Sequence, residues 1–126
     1  MMTESQLLFT KTIDIIPLMS QCLIDWYTSD YTQNIINQIG GKTSTDGSTF
    51  VFIITEEARL ILKKASVENE IELDIFHMEI SHNGIKLLQA YDAFKTVIIS
   101  PLLKLPDDYV KEFVDTQLCF IANIDS

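Results

Sequence analysis

The amino-acid sequence predicts a single α+β domain, a mainly antiparallel sheet of about five strands with helices packed on one face. Three observations carry this. The length of 126 residues suits one domain. The composition, 47% hydrophobic with only 4 Gly and 3 Pro, is too apolar for a disordered chain. The hydrophobic period also changes along the chain. An N-terminal segment, 1–40, repeats at helical spacing, whereas 50–123 contains short apolar or alternating runs that form the sheet.

Within 1–40, Thr3 followed by Gln6 has the form of a capping box, although Leu7-Leu8-Phe9 fits a short strand equally well. Ile15, Leu18, Met19, Cys22, Leu23, Trp26 and Tyr27 lie on one helical stripe, which predicts a helix over 14–27. Asp14 suits its cap, and Pro17 its first turn. Tyr31, Ile35, Ile36 and Ile39 predict a second helix, closed by Gly40-Gly41. GGKTSTDGS, 40–48, reads as a surface loop. Its GGKT is not a phosphate-binding loop, because Ile36 stands where the first glycine is needed and a helix precedes it.

FVFII, 50–54, predicts a buried strand. Thr55 then caps a helix with Glu56 and Glu57 in its first turn, and Lys63 and Lys64 near its end. Asn83-Gly84 predicts a hairpin with a two-residue turn. That register pairs His82 with Ile85, Ile80 with Leu87 and Met78 with Gln89, and sets Glu79 diagonal to Lys86, within ion-pair reach. Upstream, the apolar parity flips between Ile75 and Phe76, which requires a bulge or a break. TVIIS, 96–100, predicts a further strand. Pro106 opens a helix with Asp107 and Asp108 at its positive end, and QLCFIAN, 117–123, closes the sheet.

The formal net charge is −9, from 18 acids and 9 bases. That field repels phosphate backbones, which disfavours nucleic acid; it keeps a small protein soluble, the plainer reading, and would also steer a basic partner protein inward. Cys22 and Cys119 have no CxxC neighbour and fall in apolar runs, which predicts buried free thiols and a reducing compartment. The N-terminus lacks a basic stretch followed by an apolar core, and no apolar run reaches membrane-spanning length. A cytoplasmic protein with no membrane contact is expected.

The acids between Lys64 and Lys86 are the sharpest charge feature. They are Glu68, Glu70, Glu72, Asp74 and Glu79, with no base among them. If 70–75 is extended, Glu70, Glu72 and Asp74 share one strand face and would meet a basic partner. Asp92, at the hairpin's open end, joins the candidate partner-binding set. His77 lies diagonal to Asp92 in the expected register, with Glu79 nearby. That grouping would suit a general base, but no nucleophile or third ligand accompanies it. His82 is expected only to precede the turn. No catalytic residue, metal site or cofactor is expected.

The order hairpin, YDAF, strand, LPDDYVKEF and last strand, over 71–123, resembles small acidic immunity proteins of bacterial contact-dependent inhibition and other polymorphic toxin systems. That resemblance implies a cytoplasmic α+β protein that binds and neutralises a cognate toxin domain without turnover. These proteins share no catalytic set, so it assigns no residue. Two alternatives remain: a type III secretion chaperone-like protein, and a small ligand-binding domain or enzyme using His77 and Asp92.

Overall fold

The computed structural model describes residues 1–43 and 49–124, so most of the expected loop at 40–48 lies outside the described residues. The first helix, α1 (Glu4–Ile15), begins at a complete capping box. Gln6 donates its N–H to Thr3 Oγ1 at 3.2 Å and accepts from the Thr3 N–H at 2.7 Å. Leu8, Phe9 and Ile13 therefore enter the core from a helix, not a strand.

The helix expected over 14–27 does not exist, and the segment 1–40 is not wholly helical. After α1 the chain forms β1 (Ser20–Trp26), with Ser20, Cys22, Ile24 and Trp26 buried and Gln21 exposed. The helical stripe relied on Leu18, Met19 and Tyr27, which are all exposed. Met19 also takes a left-handed φ of 69°, which interrupts any helix there. As a strand, the segment pairs on both sides, so its backbone groups are satisfied without i→i−4 bonds.

The next elements follow their local signals. Ser29 caps α2 (Asp30–Ile39), and Gly40 ends it at φ 74°, its N–H reaching the Ile36 and Asn37 carbonyls. A short strand, β2 (Lys42–Thr43), precedes β3 (Thr49–Ile54). Thr55 Oγ1 accepts the Ala58 N–H at 3.1 Å and starts α3 (Glu56–Asn69). The hairpin is β4 (Ile75–His82) and β5 (Ile85–Tyr91), followed by β6 (Thr96–Ile99). Pro106 stands at the N-cap of α4 (Asp107–Tyr109), which runs into a π-helical turn, Val110–Val114. The expected closing strand shrinks to β7 (Phe120–Ile121).

Among the described residues the sheet has seven strands in the order β2-β3-β1-β4-β5-β6-β7, and only the β6–β7 pair is parallel. The count exceeds five because β1 was expected as a helix and β2 is only two residues long. The hairpin register holds for His82–Ile85 and Ser81–Lys86, then shifts. Ile80 faces Leu88 and Met78 faces Ala90, leaving Leu87 as a bulge that buries two adjacent leucines.

One sheet face carries Cys22, Ile24, Phe50, Phe52, Met78, Leu88 and Ile99 into a core cluster with Phe9, Ile13, Ile36 and Leu62 of the helices. Lys63 pairs with Asp14 at 2.8 Å and Gln6 Nε2 donates to the Ser66 carbonyl at 2.7 Å, so α1 and α3 lie antiparallel. Thr12 and Tyr109 hydroxyls, 2.8 Å apart, tie α1 to α4 inside the core. The other face carries Gln21, Leu23, Asp25, Val51, His77, Glu79, Gln89 and Tyr91, all half-buried or exposed. Among the described residues, no helix is long and apolar enough to cross a membrane.

Candidate functional site

The acidic row expected over 70–75 is not formed. α3 runs on to Asn69, and Glu70 ends it in the left-handed region at φ 49°, its N–H bonded to the Ser66 carbonyl at 2.8 Å. The chain then turns through a 3-10 segment, Ile71–Asp74, instead of extending. Alternation of apolar and acidic residues served here to seat Ile71 in the core while the backbone curved. Glu70, Glu72 and Asp74 therefore share no strand face. Glu72 is fully buried; it accepts hydrogen bonds from Ser66 Oγ at 2.7 Å and Ser5 Oγ at 2.9 Å. It joins α1 to the end of α3, and no partner can reach it. Glu68 stays exposed on α3, 3.9 Å from Lys64 one turn earlier.

Two other acids of that set meet at one end of the sheet. β1 and β4 pair Trp26 with Ile75 and Asp25 with His77, leaving Phe76 as the extra residue of a bulge. This is where the parity change placed one. Three backbone bonds assemble the corner. Tyr27 N–H donates to the Asp74 carbonyl at 2.8 Å, Asp92 N–H to the Phe76 carbonyl at 3.2 Å, and Ala93 N–H to the Ile75 carbonyl at 2.7 Å. Tyr27 is 61% and Phe76 58% exposed, and Leu73 beside them is exposed too. The same backbone bonds bring two acidic residues to this corner: Asp74, whose partial burial pushes its pKa up, and exposed Asp92.

Asp92 is held there at a cost. Asp92, Ala93 and Phe94 are consecutive left-handed residues, with φ of 54°, 60° and 64°. Each non-glycine residue in that region costs roughly 1–2 kcal/mol. Burial of Phe94, whose ring meets Phe9 edge-on at 5.2 Å, offsets part of it.

The open sheet face adjoins this corner. Asp25, His77 and Tyr91 lie in one cross-strand row, and the His77 and Tyr91 rings stack with centroids 4.8 Å apart. Glu79 lies in the next row, 3.0 Å from Lys86 Nζ as the sequence indicated, and 3.9 Å from His77 Nε2. The His77–Asp92 pairing is not made, because the bulge at Leu87 puts Tyr91 opposite His77 and the Asp92 amide goes to Phe76. His82 does more than precede a turn: its Nδ1 lies 3.1 Å from Ser20 Oγ. Among the described residues, no group of three His, Cys, Asp or Glu side chains is arranged to hold a metal ion.

Aromatic rings beside carboxylates are chemically suited to bind the side chains of lysine and arginine, by cation–π contact and charge-assisted hydrogen bonds. Tyr27, Phe76 and Asp25 belong to this surface and were not singled out by sequence reasoning. The parity change at Ile75–Phe76 was their available signal, since a bulge turns its extra side chain outward. No family model matches the chain, and neither a curated protein nor a solved structure matches it.

Proposed function

We propose that this chain is a cytoplasmic binding protein of the immunity type, which occupies a basic toxin domain and neutralises it without turnover. The observation that carries the reading is the exposed pair Tyr27 and Phe76, set at a sheet corner between Asp74 and Asp92. Exposed aromatics at the centre of a patch are the side chains that most often dominate binding energy. Carboxylates around them select a cationic partner, and the net charge of −9 speeds its approach. The binding set is therefore Tyr27, Phe76, Asp74 and Asp92, with Glu70, Glu79 and Asp25 as flanking charges. Glu72 has no part in it.

The test is co-expression with candidate basic toxin domains encoded by the neighbouring genes. Wild type should restore growth, and Tyr27→Ala/Phe76→Ala should fail to do so while remaining folded and expressed. Full rescue by that double variant, or no rescue by wild type, overturns the reading.

A further inference from the structure

The far end of the β4–β5 hairpin carries a cleft whose charge is opposite to that of the chain. The cleft has a volume of about 410 Å³ and lies among the β4–β5 turn, the link from α1 to β1, and the link after β6. Ile15, Ile85, Leu87 and Leu102 form its apolar wall. Leu102 is 72% exposed and Ile85 48%, so the wall opens to solvent. The polar side chains that line it are His82, Asn83 and Lys104, and no carboxylate does. In a chain with 18 acids and 9 bases this is an inversion. Lys104 makes no ion pair among the described residues.

The histidine is anchored. Ser20 Oγ donates to the Pro17 carbonyl at 2.7 Å, which leaves its oxygen to accept from His82 Nδ1–H at 3.1 Å. That bond fixes the ring at the rim and leaves Nε2 as its second polar atom.

We propose that this cleft binds an amphipathic carboxylate, with a medium-length aliphatic chain along Ile85, Leu87 and Leu102 and its anionic head at Lys104. The volume falls in the range of small-molecule sites, which are mostly apolar with a few polar groups to fix orientation. A second copy of this chain is a poor occupant. A two-fold contact through this face would bring Lys104 and His82 of both copies together with no acid to meet them. A basic toxin is disfavoured by the same sign of charge. The cleft is at the opposite end of β4 from Phe76, so this proposal stands independently of the proposed function.

Sodium decanoate, kept below its micelle concentration, is the probe, titrated into the full chain and followed by amide NMR and calorimetry. Decanol and decyltrimethylammonium are run in parallel. Saturable one-to-one binding is expected, with shifts centred on Ile85, Leu87 and Leu102. Decanol and the cationic amphiphile should bind at least about 10-fold more weakly, and Lys104→Glu should weaken decanoate by at least about 10-fold. Lys104 is exposed, so that variant keeps the fold. Equal binding of all three amphiphiles, an unaffected Lys104→Glu variant, shifts spread over other surfaces, or concentration-dependent dimerisation through this face would each overturn the proposal.

Discussion

The Asp92 amide donates to the Phe76 carbonyl at 3.2 Å, next to the bulge that leaves the Phe76 ring 58% exposed. One hydrogen bond thus joins the end of β5 to the start of β4 and brings the backbone of an acidic residue against that of an exposed aromatic one. The left-handed turn over 92–94 begins at that bond and makes its neighbour, Ala93 N–H to the Ile75 carbonyl at 2.7 Å.

Phe76 should matter for binding and not for folding. Truncating an exposed ring leaves stability within about 0.5 kcal/mol, whereas loss of a central aromatic anchor costs about 2 kcal/mol or more of binding. Urea unfolding of Phe76→Ala should match wild type, while its affinity for the proposed basic partner falls. A large loss of stability would instead place Phe76 in the core.

The strain in the Asp92–Phe94 turn is measurable at Ala93. Glycine takes a φ of 60° without a Cβ clash, so Ala93→Gly should stabilise the fold by up to about 1 kcal/mol, despite its greater unfolded-state entropy. The urea midpoint should rise. A fall would show that the turn is not strained at that residue.

Glu72 is a structural acid. Glu72→Ala removes the acceptor for the Ser66 and Ser5 hydroxyls and should cost about 1–3 kcal/mol. Among molecules that remain folded, affinity for the proposed basic partner should be unchanged, because the carboxylate is fully buried. Affinity measured well below the midpoint of unfolding separates the two effects.

Both thiols should be inert in the folded protein. Burial pushes the Cys22 thiol far up, and it raises Cys119 as well, although the Tyr109 hydroxyl opposes it there. Reaction with a thiol-specific disulfide reagent at pH 8 should release nothing from native protein and two equivalents after denaturation. Fast reaction of either thiol in the native state would contradict this burial.

Asp74 gives a pH signature. Burial raises its folded pKa above the ordinary 3.8, so the folded state holds the proton longer than the unfolded one. The stability linked to this group is present below pH 3.8 and is lost as pH rises through the folded pKa. Asp74→Asn should lack that decline when stability is followed upward from pH 3, and an identical profile would remove Asp74 as its source.

Much of the fold was legible because its signals are local. Thr55 caps α3 with its own side chain, Gly40 ends α2 with a positive φ, and Asn83-Gly84 forms the tight turn its two residues favour, whereas the Thr3 capping signal left 7–9 open between helix and strand and the Ser29 cap went unread. What failed depended on distant partners. Residues 20–26 match a helical stripe as well as a strand, and only pairing with β3 and β4 decides between them. Alternation over Ile71–Ile75 matches a strand, but α3 extends far enough that Glu70 must turn the chain. Leu87 and Leu88 are equally apolar, so their sequence does not show which one bulges. The candidate surface was half visible: Asp74 and Asp92 by charge, and the bulge by parity. Tyr27 reaches it only because β1 ends beside Asp74.

The corner around Phe76 is proposed to recognise a cationic partner. The affinity of a candidate basic toxin domain is measured for wild type and for a triple variant, Asp74→Asn, Asp92→Asn and Phe76→Ala. Asparagine tolerates the left-handed φ at 92, so the turn survives in the variant. The expected result is a loss of about 100-fold or more, with slower association that adding salt to wild type also produces. Equal affinity and equal association rates for the two proteins would rule out recognition through this corner.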